Sequence, residues 1–227
     1  MTSGIDRTPG WMTPAGPPTT TVLLRHGDTP LSREKRFSGV GDARLTRAGA
    51  AQAHAAAERL RARGGIEAVV SSPLRRALQT AEVAAAALDL PMLVDEDLRE
   101  TDFGTWEGLT FAEALARWPD LVAAWLADQS VAPPGGESFA DTAIRVQHAR
   151  DRLLARMPRG TILVVSHVTP IKTLVRLALQ APPIALHRMH LDSACLSELD
   201  WYQDGAAVLR AFNDTHHLPP TDGPTGR

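Results

Sequence analysis

Two apolar runs that both close on a histidine, TVLLRH (21–26) and TILVVSH (161–167), constrain this chain more than any other feature. Each is short, rich in β-branched residues and bounded by polar or turn-forming residues, which predicts a buried strand. A further strand is expected at EAVVSS (67–72) and a short one in PMLVDEDLRE (91–100). ACLSELDWY and AAVLRAFN flank Gln203-Asp204-Gly205 and read as a hairpin. Amphipathic stretches fill the gaps. Thr46 caps a helix carrying Ala48, Ala51, Ala55 and Leu60, and Ser72-Pro73 opens one that runs to about Leu88. Helices are also expected over 110–128 with a break near Pro119, over 138–157, and from Thr169 or Pro170 onward. Strands alternating with helices predict an α/β three-layer sandwich, a mostly parallel central sheet with helices on both faces. Ligands of such sheets bind beyond the carboxyl ends of the strands, where both histidines lie.

Residues 1–19 are rich in Pro, Gly and Thr without periodicity and read as a disordered tail or linker remnant. The expected domain covers 20–218, with a flexible tail at 219–227 of similar composition. The net charge of −2 gives no global field that would attract nucleic acid or an anionic membrane. No apolar run approaches the ~20 residues that span a bilayer, and the first residues lack a signal-peptide pattern. With one cysteine, Cys195, no intramolecular disulfide forms, so a cytoplasmic setting is expected.

Histidines at strand ends with arginines nearby suit phosphoryl transfer. A phosphate monoester is doubly negative, and the planar guanidinium offsets that charge while holding two oxygens at once. Arg25 beside His26, and Arg75 in the turn after SSPL, are the candidates. A neutral imidazole can attack phosphorus, and neighbouring cations favour the neutral form. Glu100, in LRETDFGTWEG, is the acid placed to protonate a departing alkoxide.

These residues lie in blocks that resemble the histidine phosphatase superfamily on its phosphoglycerate mutase-like branch. LLRHGDT, FSGVGDARLTRAGAAQA, SSPLRRALQTAE, LRETDFGTWEGLT, PPGGES and VVSH occur in the family's order. The stretch VVSHVTPIKTLVRLAL is similar to the acid phosphatase half of actinobacterial ribonuclease H–acid phosphatase proteins, itself similar to α-ribazole phosphatases. The resemblance implies that His26 becomes phosphohistidine and that Arg25, Arg75 and His167 bind the transferring phosphoryl group. It makes Glu100 the acid, then the base, and assigns phosphoryl or substrate contacts to Ser38 and Gly39. Ser32 stands where the family often has asparagine. Val168-Thr169 replace the usual Gly-Gly, leaving the Val168 amide as a phosphate donor and reshaping the wall. No metal and no cofactor are expected.

The expected function is therefore hydrolysis of a small phosphorylated metabolite, such as α-ribazole phosphate or a sugar phosphate, with an acidic optimum because Glu100 must begin protonated. The expected partner is that small molecule, with neither nucleic acid nor membrane; a homodimer is compatible with the sequence. A phosphoglycerate mutase is the first alternative, but between Gly108 and Pro133 only Arg117 could clamp a second phosphate. The other is a non-catalytic phosphate-binding module. Trp106, Trp118 and Trp125 serve either the core or an apolar leaving group. Asp102 and Glu107 read as makers of loop hydrogen bonds, and Arg76 as a surface or packing partner. His187 and His190 have metal-ligand spacing without an acid or cysteine cluster, and His216-His217 read as tail.

Overall fold

The strand that ends in Arg25 lies inside a six-stranded sheet, and its register with its neighbours decides what meets at the sheet's edge. The computed structural model describes residues 16–219. The expected tails at 1–19 and 219–227 therefore lie outside the described residues, apart from 16–19 and 219. Along the chain run β1 (Thr19–Arg25), α1 (Pro30–Arg33), α2 (Arg47–Arg63), β2 (Ala68–Ser71), α3 (Arg75–Leu88) and β3 (Met92–Val94). Next come α4 (Phe111–Arg117), α5 (Pro119–Ala127), α6 (Phe139–Arg156), β4 (Thr161–Ser166), α7 (Val168–Leu179), β5 (Leu196–Trp201) and β6 (Ala207–Asp214).

The spatial order is β3-β2-β4-β1-β5-β6. The ladders among β1, β2, β3 and β4 are parallel, whereas β5 runs antiparallel to both β1 and β6. The sheet is thus mostly parallel, with an antiparallel hairpin along one side.

Alternation along the central strands builds a core on each face. Leu23, Val70, Ile162 and Val164 pack with residues of α6 and α7, including Val146, Leu153 and Leu174. Val22, Leu24, Val69, Leu163 and Val165 pack with α2 and α3. The inner faces of α2 and α3 are mainly alanine (Ala53, Ala56, Ala57, Ala77, Ala81, Ala84), which lets the helices lie close to the sheet and to each other. A third cluster is aromatic: Phe103, Trp106, Trp125 and Phe139 are buried, with Phe37 and Trp118 packed against them.

Three expected details change. Ser72 does not cap α3; the helix starts at Arg75, and its N-cap, Leu74, makes no side-chain bond. The Ser72 hydroxyl instead accepts the Leu74 amide and meets His167 Nε2 at 2.7 Å. Helix α7 begins at Val168, ahead of the expected Thr169 or Pro170, with the His167 ring aimed at Ser72. His217 is half-buried, with Nε2 3.0 Å from the Ala194 carbonyl oxygen, so it packs on the chain before β5.

The turn after β1 docks on the first turn of α2. The Thr46 hydroxyl accepts the Gly49 amide, and the Thr46 amide donates to Asp28 O at 2.8 Å. A Cβ on Gly49 would stand 2.1 Å from Asp28 O, and one on Gly27 would stand 2.3 Å from Gly49 O. Gly49→Ala is expected to destabilise by about 1–3 kcal/mol, as overpacking does. Urea unfolding measures it; a change below about 0.5 kcal/mol, the range of a neutral surface substitution, would show that the turn gives way freely.

Candidate active site

Parallel pairing of β1, β4 and β2 points their carboxyl ends the same way. Arg25 pairs with Ser166, and Ser71 with Val165. One residue beyond the strands, His26, His167 and Ser72 therefore stand side by side. The ladder extends into this zone, with the His26 amide on Ser166 O and the Ser72 amide on Val165 O. The imidazole centroids of His26 and His167 are 5.1 Å apart.

His26 is 4 % exposed, yet its ring is oriented by definite partners. Nδ1 lies 2.8 Å from the Gly27 carbonyl oxygen. A carbonyl only accepts, so Nδ1 carries the proton and Nε2 the lone pair. Nε2 faces the Nε–H of Arg76 at 3.3 Å. Burial, then the Arg76 and Arg25 cations, push the His26 imidazole well below its ordinary range. Burial and Arg76 do the same to His167. Both rings are neutral at pH 7.

The arginine that reaches this pair is Arg76, which corrects the expectation for Arg75. Arg75 points outward and pairs with exposed Asp42 at 3.0 Å. Arg76 is fully buried and donates to three carbonyls: Ser38 (3.0 Å), Gly39 (2.7 Å) and Gly41 (3.2 Å). Helical spacing explains the difference. The buried positions of α3 are 76, 77, 80, 81, 84 and 85, a stripe that its alanines already mark in the sequence. Arg75 lies outside that stripe.

Arg25 stands alongside, half-buried, with one guanidinium N–H on the Leu191 carbonyl at 2.6 Å. Glu100 is 4 % exposed and accepts the Thr101 amide at 2.8 Å and the Thr169 amide at 3.3 Å. Its backbone is fixed by Arg145, which donates to the carbonyls of Asp97, Arg99 and Glu100 while gripping Glu137 through two nitrogens. Composition alone gave no sign of that buried pair.

Ser32, Ser38 and Val168 line a cleft of ≈ 240 Å³ together with Arg25, His26, Glu100 and Thr169. The Ser32 hydroxyl is engaged with Thr29 as the cap of α1. Gly39 departs from its expected role, because Glu107 accepts its amide at 2.7 Å and Arg76 holds its carbonyl. Glu107 makes the loop bond foreseen for it, and Asp102 likewise accepts the Gly104 amide. Around the cleft, Arg25 Nε, Ser38 Oγ and His167 Nδ1 are buried without a partner among the described residues. Unpaired buried polar atoms of this kind are costly unless a ligand meets them.

His187 and His190 do not converge. His187 lies edge-on to Trp125 and Phe139, whereas His190 pairs with Asp192. Among the described residues no group of three His, Cys, Asp or Glu is arranged to hold a metal ion. Cys195 is buried just before β5, and burial pushes its thiol up to about 12, far from a reactive thiolate. Among the described residues no helix is long and apolar enough to cross a membrane.

Known proteins share the fold of this chain. Residues 21–215 match the family model described as Histidine phosphatase superfamily (branch 1). The Bifunctional protein Rv2228c of Mycobacterium tuberculosis is 55% identical over 210 residues, covering 92% of this chain. The chain spans 58% of that relative's length. A mycobacterial glucosyl-3-phosphoglycerate phosphatase, solved in complex with VO3, superposes with a TM-score of 0.78 at 33% identity, covering 87% of this chain and 100% of the other. A phosphoserine phosphatase from Entamoeba histolytica reaches a TM-score of 0.79 at 31% identity, over 88% of this chain and 100% of the other.

The two adjacent arginines make a sharp test. Arg76→Ala is expected to weaken inorganic phosphate binding about tenfold or more, the scale of a lost charge-assisted hydrogen bond. Arg75→Ala, an exposed pair, should change it less than about threefold. Titration calorimetry reads both, and equal losses would return Arg75 to the site.

Proposed function

The chain belongs to branch 1 of the histidine phosphatase superfamily, and from that premise we propose that it hydrolyses phosphate monoesters through a phosphohistidine on His26. The lone pair of His26 Nε2 attacks phosphorus while the ester P–O bond opposite breaks. Glu100 gives its proton to the departing oxygen. In the second half, the Glu100 carboxylate takes a proton from water, whose oxygen attacks phosphorus as the P–N bond breaks. Phosphate leaves and both groups return to their starting states. Arg25, Arg76 and His167 hold the equatorial oxygens, assisted by the Val168 amide in the first turn of α7 and by the Ser38 hydroxyl.

The observation that carries this reading is the orientation of His26. Its Nδ1 is committed to Gly27 O, which leaves Nε2 as lone pair beside a buried guanidinium. An inert strand-end histidine would need neither. That the buried cations are arginines suits a phosphoryl oxygen set. Hydrolysis is favoured over phosphoryl return to a bound acceptor because Arg117, the only cation between Gly108 and Pro133, is exposed. The substrate is a small phosphorylated metabolite of the cytoplasm, with α-ribazole phosphate and sugar phosphates the first esters to test.

His26→Ala is expected to lower turnover of p-nitrophenyl phosphate about a thousandfold or more. Rapid quenching of wild type with labelled substrate should trap an acid-labile, base-stable label on His26. Wild-type turnover without such a label would overturn the covalent route.

The pH profile follows from the depressed His26 imidazole. The neutral ring is the nucleophile, so its acid limb lies well below 6.5. kcat/KM on the free enzyme should hold as pH falls through 6.5. A profile that halves near 6.5 and keeps falling would contradict the assignment.

A further inference from the structure

Beside the cleft lies a second cavity of ≈ 280 Å³, and Phe37, Phe103, Val168 and Thr169 line both. Its outer wall is aromatic and aliphatic, formed by Trp125, Phe139 and Leu186, with His187 standing edge-on to the two rings. One lysine lines it, Lys172 on α7.

Lys172 is only partly exposed and has no hydrogen bond or ion pair among the described residues. The charges that act on it are Glu100, which attracts it, and Arg25, which repels it. Burial lowers its pKa, and both burial and the Lys172 charge hold His187 below its ordinary range. The chamber therefore presents an apolar wall and a single positive charge. A purely apolar occupant would leave that ammonium desolvated and unpaired, which is unfavourable. A second phosphate would bring two charges to one cation. A carboxylate matches it one to one.

We propose that this chamber receives the leaving-group end of the substrate, and that Lys172 selects phosphomonoesters whose leaving group carries a carboxylate on a largely apolar skeleton. This rests on the phosphatase reading and narrows it, away from neutral sugar phosphates. Lys172 is then a specificity-determining residue.

The test compares phenyl phosphate with 3- and 4-carboxyphenyl phosphate in wild type, Lys172→Met, Lys172→Gln and Lys172→Arg. The readout is the ratio of kcat/KM for each carboxylated ester to that for phenyl phosphate. Taken within one variant, this ratio is insensitive to the fraction folded. Wild type should favour at least one carboxylated ester by about tenfold or more. The ratio should fall to near one in Lys172→Met and Lys172→Gln, and largely survive in Lys172→Arg. A ratio that is the same in wild type and in the Met and Gln variants overturns the role of Lys172. Failure of the hydrolase reading looks different: no ester turns over and no label reaches His26, which overturns both.

Discussion

A guanidinium at 0 % exposure has no solvent to hold it, and the arrangement around Arg76 follows from that constraint. Its N–H groups must all find acceptors, because an unpaired buried charge is among the most costly defects a fold can carry. Three backbone carbonyls of the 38–41 loop supply most of them, and the His26 ring supplies another. The loop is thereby drawn against the sheet's carboxyl edge. Glu107 pins it from the other side through the Gly39 amide. The space at Gly39 is so tight that a Cβ would stand 2.7 Å from Thr101 O. One cation thus fixes both the 38–41 loop and the ring that faces it.

Arg145 does the parallel task for the acid. By holding the carbonyls of Asp97, Arg99 and Glu100, it converts an irregular segment into a rigid mount for a carboxylate. Thr101 and Thr142 hydroxyls meet at 2.9 Å behind it. The Glu100 carboxylate then spans from this mount to the Thr169 amide at the start of α7. Loop residues placed this firmly need buried ionic partners from a helix, here α6, because the loop has no ladder of its own.

The strands and most helices were legible because period and punctuation agree locally. TVLL and ILVVS are too short and too β-branched for helices, and Thr46, Pro119 and Ser138 mark their helices as foreseen. The histidine pair was legible because parallel strands end on one side. What local reading missed depends on which way a side chain turns. Arg75 and Arg76 are adjacent and chemically identical, and only the facing stripe of α3 separates them. Ser72 has the chemistry of a helix cap, yet a histidine from 95 residues away claims its hydroxyl. Lys172 resembles any helical lysine until the aromatic cluster closes around it. Tertiary contact decided each of these.

The order of strands has a consequence for how the chain is made. Of the six strands β1 is made earliest, but among the described residues it pairs only with β4, beginning at Thr161, and with β5, ending at Trp201. The packing of α2 on α3 and the pairing of β2 with β3 join elements that are near neighbours in sequence. The strand that carries Arg25 into the cleft therefore has no partner until β4 has been made. Closing pairings over such separations is slow and leaves a strand edge open to misassociation in the interval. The Arg25–His26 edge takes shape only when the two sides of the sheet meet across β1, and a chain ending before β4 would lack the strand that sets it.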